Sequence, residues 1–428
     1  MPVAPQFALI DINNAFCSFE RVFNPKLEGK PLIVLTNNDG LAISRSSEAK
    51  AIGVKMGTPL FELKGLTKRH GLIALSPNYS LYADMSNRFC SILKGFSPEF
   101  EQYSIDETFL RIESVSHLYG GSTLMGEKIV KRMQQWIGLP VCVGIGPTKT
   151  LAKLANHLAK KNESFGRVCN LHDLTRADRL RWMHSVDVGE VWSVGHRIGK
   201  RLAGMGIETV LDLRNANPKE IRKQFSVVLE RTCQELRGVS CLELEDMIEP
   251  KKQIMSSRGF GASVYELDEL CEAVAFHTAI AAEKLRLQES VAAGIHVFIM
   301  GRRAKGEQLE SFSETIALPQ ASDDTRKLTR AALAGLKKIF RPGMEYKKAG
   351  VMFLFLAHKK IRSMSLFDDP RQDEKSERLM RVMDGINNKY GRRTVQTAAC
   401  GVAHRWAMRS EFRTPRYTSR WDELPVVG

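Results

Sequence analysis

Two strand-like runs of this chain carry acids that a buried strand does not normally tolerate. Phe7–Ile12 reads FALIDI, with Asp11 near its end, and the later run YSIDETFL contains the pair Asp106-Glu107. A carboxylate in an apolar strand is costly unless it is paired or bound to a cation. Any fold of this chain must therefore put these three acids where a cation reaches them.

Strand and helix patterns alternate along the first 170 residues. Strand-like segments such as PLIVLT and VCVGIG alternate with helix-like segments such as YSLYADMSNRFCSILKG and TKTLAKLANHLAKK. This alternation predicts an α/β layer sandwich with a mixed or antiparallel sheet. Residues 171–240 indicate short helices, residues 253–358 a second α+β domain, and the polar stretch 363–377 separates a C-terminal region.

The basic charge is unevenly distributed along the 428 residues. Residues 1–110 hold 11 Lys plus Arg and 11 Asp plus Glu, so the formal net charge of +15 lies entirely in the remainder. A basic remainder favours a polyanionic partner, because each cation near a phosphate releases counterions. A merely soluble basic protein is the alternative.

Composition excludes several classes of protein. A hydrophobic fraction of 43% excludes a largely disordered chain. No run of eighteen apolar residues occurs, which predicts neither a secretory signal nor a membrane span. The eight cysteines form no C-x-x-C pair, so we expect buried, reduced thiols, no zinc site and a soluble intracellular protein.

The three acids suit magnesium chemistry if they meet at adjacent strand ends. Mg²⁺ prefers a few carboxylates plus substrate phosphates to an all-protein cage. Two such ions about 3.5–4 Å apart clamp the attacking and leaving oxygens of a phosphoryl displacement. From the residues alone two alternatives stay open: Glu107 is solvated on an edge strand, or Asp11 caps the following helix.

A basic helix follows the strand VCVGIG. Lys149, Lys153, His157 and Lys160 fall on one stripe, with no acid between residues 141 and 162. Leu151, Leu154, Ala155 and Leu158 form the opposite, buried stripe. Such a helix can present its ammonium groups to phosphates. Alternatively, the lysines only form a solvent-exposed face without a ligand. The segment GIGPTKT lacks the spacing of a Walker A loop.

These segments together resemble the Y-family translesion DNA polymerases, and within them the UmuC-like catalytic subunits of DNA polymerase V. The resemblance covers essentially the whole chain and is densest in the segments DINNAFCSFERVF, NNDGLAISRSSEAKAIGVKMG, NYSLYADMSNR, YSIDETF, TKTLAKLANH and TPRYTSRWDELP. It implies a right-hand polymerase: an α+β multidomain fold with a palm, small fingers, a helical thumb, an α+β little finger and a C-terminal extension.

The resemblance implies specific roles for residues of the first strand and the hairpin. Asp11, Asp106 and Glu107 would be catalytic acids that bind two Mg²⁺ ions, with the main-chain carbonyl of Ile12 as a further ligand. Phe16 would be a steric gate, whose ring collides with a ribose 2′-hydroxyl and so favours dNTPs; from composition alone it could equally be a core phenylalanine.

The nucleotide-binding set extends beyond the gate. Ser44, Arg45 and Lys50 would lie over the incoming triphosphate in the fingers. Lys153, with Lys149 as the second candidate, would neutralise the β- and γ-phosphates. The fingers contain few large aromatic residues, which predicts an open pocket that tolerates a damaged template base.

The resemblance also assigns the domains and the grip on primer-template DNA. The expected boundaries are palm 1–23 and 75–170, fingers 24–74, thumb 171–240, little finger 253–358, and a linker with a C-terminal partner-binding region 359–428. The thumb segment VWSVGHRIGKRLAGMGI resembles a helix-hairpin-helix that approaches DNA phosphate, or is a plain αα-hairpin. The little finger would follow the duplex through basic residues, namely Lys251, Lys252, Arg258, Arg302 and Arg303.

Two C-terminal segments predict protein partners. Met364, Ser365, Leu366 and Phe367 resemble the peptide that bacterial polymerases insert into the sliding clamp, with Ser363 in the place of the usual Gln. Residues 391–420 hold seven Arg and one acid, interleaved with Trp406, Phe412 and Tyr417, a pattern that suits single-stranded bases or a protein partner. By analogy the tail would engage a processed UmuD-like dimer and the RecA nucleoprotein filament.

The sequence thus predicts an error-prone translesion polymerase of the SOS response, cytoplasmic in a bacterium and nucleoid-associated when active. Two rivals remain at this stage. A palm-fold nucleotidyl cyclase shares the three acids but needs no basic thumb, second DNA-gripping domain or clamp peptide. A catalytically silent DNA-bound scaffold would not need the acids.

Overall fold

The computed structural model describes residues 5–245, 250–304, 306–361, 370–402 and 404–424, and of residues 370–373 the backbone alone. The chain divides into two compact units. Met1–Thr36, Gly40–Ile248 and Phe412–Gly428 make up the first, and Asn37–Asp39 with Glu249–Glu411 the second. The clamp-like peptide Met364–Phe367 lies outside the described residues.

Strands and helices follow the order that the sequence patterns predict. The strands are β1 (Phe7–Ile12), β2 (Leu32–Leu35), β3 (Ala42–Arg45), β4 (Ile73–Leu75), β5 (Phe100–Gln102), β6 (Glu107–Arg111), β7 (Val141–Gly146), β8 (Val168–Asn170), β9 (Ile254–Val264), β10 (Ser290–Arg302), β11 (Glu310–Ser322) and β12 (Glu345–His358). The α-helices are α1 (Ala15–Phe23), α2 (Ser47–Ala51), α3 (Lys64–His70), α4 (Tyr79–Lys94), α5 (Ser122–Ile137), α6 (Lys149–Lys161), α7 (Arg176–Ser185), α8 (His196–Ala203), α9 (Val210–Asn215), α10 (Pro218–Gln224), α11 (Val227–Leu236), α12 (Leu267–Leu287), α13 (Thr325–Ile339) and α14 (Pro370–Tyr390).

The main sheet of the first unit has the order β5-β6-β1-β7-β8, with β1 at its centre. β1 pairs antiparallel with β6 and with β7, whereas β8 runs parallel to β7, so the predicted mixed sheet is confirmed. Helices cover both faces of β1. Ile10 packs in one core with Phe89 of α4 and Ile129 of α5, and Leu9 packs on the other face with Ala152 of α6. This double cover buries every residue of β1, including Asp11.

Helix α6 lies against β7 with no side chain between them at Gly144. A Cβ atom on Gly144 would come within 2.1 Å of the Asn156 backbone nitrogen and 2.2 Å of the Ala152 oxygen. The Asn156 side-chain amide in turn donates to the carbonyls of Leu9 at 3.2 Å and Cys142 at 2.8 Å. The helix is therefore fixed directly to the backbone of two central strands.

Smaller elements complete the first unit. A three-stranded sheet of order β3-β2-β4 has its own core around Ile33 and Leu35, within the expected fingers. Short helices α7 to α11 fill residues 176–236, as predicted. Helix α9 begins at a capping box in which Thr209 and Asp212 satisfy each other's backbone donors.

The second unit is a four-stranded antiparallel sheet of order β11-β10-β12-β9. Helices α12 and α13 pack with it around a core that includes Leu285, Val297 and Ala332. The predicted second α+β domain is present. Helix α14 is attached to this unit by the ion pair of Arg286 with Asp384, at 2.6 Å.

The C-terminal region is divided between the two units. Residues up to Glu411 belong to the second, and Phe412 onward to the first. Two aromatic rings that the sequence offered to bases or partners are used inside the chain: Trp406 is buried in the core of the second unit, and Tyr417 stacks on Phe23 at 5.0 Å between ring centroids. Phe412 is exposed.

Two predictions on the chain's environment can be compared with the described residues. None of the helices described here has both the length and the apolar character needed to cross a bilayer. The eight cysteines are free thiols and six of them are buried, which confirms the prediction of small buried groups.

Candidate active site

Strand pairing brings two of the three predicted acids side by side. Asp11 on β1 is the register partner of Glu107 on β6, and opposed residues of an antiparallel pair project to the same face. Asp106 directly precedes β6, and its carbonyl accepts from the Ile12 amide at 3.0 Å. Neither of the two alternatives fits this arrangement. The strands β6 and β1, which carry Glu107 and Asp11, are adjacent and both internal in the sheet, so Glu107 is not on an edge strand. Helix α1 begins after Asn14 and has no side-chain cap, so Asp11 does not cap it.

Asp11 is a buried carboxylate with a perturbed pKa. Its pKa is raised from 3.8 to about 7, chiefly by burial and in smaller part by the neighbouring Glu107 carboxylate. Lys160 opposes this shift from 2.5 Å away. The lysine compensates only part of the cost of the buried charge, as expected where like charges share a site.

The other two acids are held by different partners. Both Glu107 oxygens accept from the Lys153 ammonium, at 2.8 and 2.7 Å. Asp106 accepts from the Ser104 hydroxyl at 2.6 Å, and that hydroxyl also accepts from the Glu107 amide at 3.0 Å. Ser104 therefore fixes the turn that presents both acids.

The lysine stripe of α6 lies over acids, and its first member, Lys149, is buried. Lys149 is 3% exposed, and its ammonium donates to both oxygens of Glu101, at 2.9 and 2.6 Å. It donates further to the Glu243 carbonyl at 3.3 Å. This burial does not fit the phosphate-binding role considered for Lys149. Spacing on a helix tells which lysines share a face but not which acid each one meets.

A cleft of about 760 Å³ opens beside the acids. The predicted residues Asp11, Ile12, Phe16, Ser44, Arg45, Lys50 and Asp106 line it, together with Asn13, Asn14, Lys160 and Arg167, which were not predicted as site residues. Glu107, Lys149 and Lys153 are outside this lining. Lys160 lies on the predicted basic stripe, whereas no local pattern marks Arg167.

Cations line the same cleft, among them Arg45, Lys50 and Lys160. Burial lowers the pKa of Lys50, and Arg45, Lys160 and Lys161 lower it further by repulsion. The Lys50 ammonium donates to the Asn14 side chain at 2.6 Å. A cluster of cations that repel one another in a cleft favours a multiply charged anion there.

The Phe16 ring forms part of the cleft wall and packs against the buried Tyr82 ring. It stacks on Tyr82 with ring centroids 4.5 Å apart and an interplanar angle of 15°. Tyr82 is fully buried, so the stack joins a cleft-lining ring to the core. The predicted gate residue is thus at the cleft surface rather than inside the core.

The donor set fits a divalent cation although no cage is preformed. Within the described ranges, no three or more His, Cys, Asp or Glu side chains are arranged to hold a metal as they stand. Magnesium does not require this, since it takes one or two carboxylates and completes its shell with water and phosphate. Asp11 touches Glu107, Asp106 lines the same cleft, and the buried Asn13 Oδ1 has no partner among the described residues.

Comparison with protein families gives three matches along the chain. The impB/mucB/samB family matches residues 10–157, and the C-terminal domain of the same family matches residues 251–366. A domain of unknown function, DUF4113, matches residues 377–427. The family matches thus include both the acid-bearing strands and the second unit's sheet.

Relatives extend over nearly the full length. The chain is 41% identical to Protein SamB of Salmonella typhimurium and 42% identical to Protein UmuC of Salmonella typhimurium strain LT2, with 98% of this chain and 99% of each relative covered. A solved Y-family DNA polymerase chimera of Dbh and Dpo4 has the same fold, with a TM-score of 0.63 at 20% identity over 82% of this chain and 98% of that one. The chain therefore belongs to the impB/mucB/samB family and is a UmuC-like Y-family translesion DNA polymerase.

Proposed function

We propose that the cleft between Asp11 and Lys50 is where this polymerase joins a dNTP to a primer end opposite a damaged template base. The observation that carries the proposal is that one cleft is lined both by the acids Asp11 and Asp106 and by cations that repel Lys50, namely Arg45 and Lys160. Such a site suits a triphosphate bound through a metal. The relatives do not favour the cyclase or the silent scaffold.

Asp11, Asp106, Glu107 and the Ile12 carbonyl would hold two Mg²⁺ ions. When bound, these ions supply the Lewis acidity that makes the primer 3′-hydroxyl a better nucleophile and stabilises the leaving pyrophosphate. The residues themselves orient the reactants and hold negative charge at fixed points. When no metal is bound, Lys160 neutralises Asp11 and Lys153 neutralises Glu107, and these ion pairs hold the two carboxylates in position.

The triphosphate would be held by the cations of the cleft. Arg45 and Lys50 line it from the small sheet and α2, and Lys160 from α6, while Ser44 offers a hydroxyl. Lys153 would reach a β- or γ-phosphate after releasing Glu107 to a metal. These groups stabilise charge that grows on the leaving phosphates, which is the main task of a protein in phosphoryl transfer.

Replacing Phe16 by Ala should remove discrimination against ribonucleotides. The ring lines the cleft, and without it a 2′-hydroxyl finds space and loses no hydrogen bonds to water. We expect the ratio of dNTP to rNTP kcat/KM to fall by about a hundredfold, roughly 2.7 kcal/mol. Single-nucleotide insertion opposite one template base measures it. An unchanged ratio would show that Phe16 does not act as a gate.

Partners would be recognised by surfaces outside the cleft. On the second unit, exposed Lys251, Lys252 and Arg258 would contact DNA phosphates. On the first unit, exposed Lys200 of α8 would do the same. The clamp would take Met364–Phe367, and a processed UmuD-like dimer and the RecA filament would take the C-terminal region. Arginine-rich tail sequence around exposed Phe412 supports the last assignment. We propose a bacterial cytoplasmic enzyme that joins the nucleoid when active.

Primer extension on a template with an abasic site tests the proposed function. Wild-type chain, supplied with clamp, processed UmuD-like protein and RecA filament, should extend the primer past the abasic site. Asp106→Ala should not, because the cleft loses one of its metal-binding acids. Failure of the wild-type protein under these conditions would contradict the proposal.

A further inference from the structure

The C-terminal segment Phe412–Tyr417 is docked on the first unit by specific hydrogen bonds. The Ser76 amide donates to the Phe412 carbonyl at 3.1 Å, and the Phe412 amide donates to the Ser76 hydroxyl at 2.9 Å. The Asn78 side-chain amide donates to the carbonyls of Thr414 and Pro415, at 3.2 and 3.0 Å, and to the Thr414 hydroxyl at 3.1 Å. This docking orients the Thr414 side chain toward helix α1.

A buried carboxylate receives that side chain. Glu20 of α1 is 1% exposed, and its Oε1 accepts from the Tyr82 hydroxyl at 2.7 Å and from the Thr414 hydroxyl at 3.2 Å. Its second oxygen, Oε2, is buried without a partner among the described residues. Glu20 therefore depends on two donors, and the tail supplies one of them.

Tyr82 connects this carboxylate to the cleft. Its hydroxyl is fixed by Glu20, and its ring stacks on Phe16 at 4.5 Å. A path of direct contacts thus runs from Thr414 through Glu20 and Tyr82 to the Phe16 ring in the cleft wall. The Phe16 ring can exclude a ribose 2′-hydroxyl only if it keeps its position, and the stacked Tyr82 ring prevents it from moving toward the core.

We propose that Thr414 is a positioning residue for Phe16, so that the docked tail sets how strictly the enzyme rejects ribonucleotides. The inference rests on the gate role proposed above for Phe16. Without the Thr414 hydroxyl, Glu20 keeps a single donor and must shift or admit water, because an unsatisfied buried carboxylate is costly. Tyr82 then loses its fixed acceptor and the Phe16 ring gains freedom to tilt.

Thr414→Val tests this with almost no change of shape. The variant keeps the branched side chain and loses the hydroxyl, so the dNTP to rNTP ratio of kcat/KM should fall about fivefold while dNTP insertion alone changes less than twofold. Thr414→Ser should restore the wild-type ratio. Ser419→Ala, an exposed hydroxyl in the same tail, is the matched control and should leave the ratio unchanged.

Tyr82→Phe provides a second, independent measurement. It removes the hydroxyl that donates to Glu20, which is the next contact along the same path. Tyr82→Phe by itself should therefore lower the dNTP to rNTP ratio, and the double variant with Thr414→Val should lower it no further. An unchanged ratio in both single variants, an equal loss with both sugars, or fully additive effects would overturn the inference. Absence of dNTP insertion by the wild-type enzyme would instead refute the proposed function.

Discussion

Asp11→Asn should reduce nucleotide insertion by roughly a thousandfold or more. Asp11 lies in the cleft beside Glu107 and would contact the metal directly. Loss of outer partners of a metal ligand already costs about 10- to 100-fold, so loss of a ligand itself should cost more. Asparagine keeps the size and one oxygen but not the charge that holds a divalent cation. Single-turnover insertion with saturating dNTP measures the effect.

The same substitution should not destabilise the metal-free fold at neutral pH. The raised pKa of Asp11 means that its charge is disfavoured in the folded chain, so its contribution favours folding below pH 4 and is lost as the pH rises toward 7. Asparagine removes that penalty. In EDTA, thermal melting at pH 8 should show a variant at least as stable as the wild type, with a smaller difference at pH 5.

Asp84→Asn is the matched control for charge and residue type. Asp84 forms an exposed pair with Arg88 at 2.8 Å on helix α4, outside the lining of the cleft. Such a pair contributes little to stability, so both insertion and melting should remain at wild-type values. Normal insertion by Asp11→Asn would remove Asp11 from the catalytic set, and a large drop in its melting temperature would assign it a structural role instead.

The central strands could be predicted because their patterns are local. FALIDI and VCVGIG are apolar runs of strand length that contain β-branched residues, and both are strands with the predicted bounds or nearly so. The meeting of Asp11 with the Asp106-Glu107 pair follows from adjacency of β1 and β6, a register that a buried face specifies strongly. Local pattern and sheet register therefore suffice for the acids.

The remaining contacts depend on packing between segments distant in sequence. Asn78 and Thr414 are joined by hydrogen bonds although 336 residues separate them, and no periodicity in either segment indicates the other. Lys149 illustrates the same limit at shorter range. It is the second candidate, after Lys153, for neutralising the phosphates, but Glu101 approaches it from β5 and encloses it, because the neighbouring strand decides which partner a lysine meets.

The Gly144→Ala variant should unfold the first unit at lower temperature and lose polymerase activity with it. The added methyl would overlap the backbone of α6 at both Asn156 and Ala152, and backbone atoms cannot swing aside as a flexible side chain does. Helix α6 would have to move off β7 and break the Asn156 bonds to Leu9 and Cys142. We expect a cost of about 3 kcal/mol or more.

Melting followed by circular dichroism should show a decrease of roughly 6–12 °C for Gly144→Ala. Gly385→Ala is the control, since a Cβ there meets no atom within 4 Å and the residue lies inside helix α14. Alanine is more favourable than glycine inside a helix, so that variant should melt at or slightly above the wild-type temperature.

If Gly144→Ala folds normally, the same displacement of α6 predicts a residual defect, because Lys160 would move away from Asp11 and insertion would slow. Wild-type melting together with wild-type insertion would show that α6 is not held against β7 at Gly144.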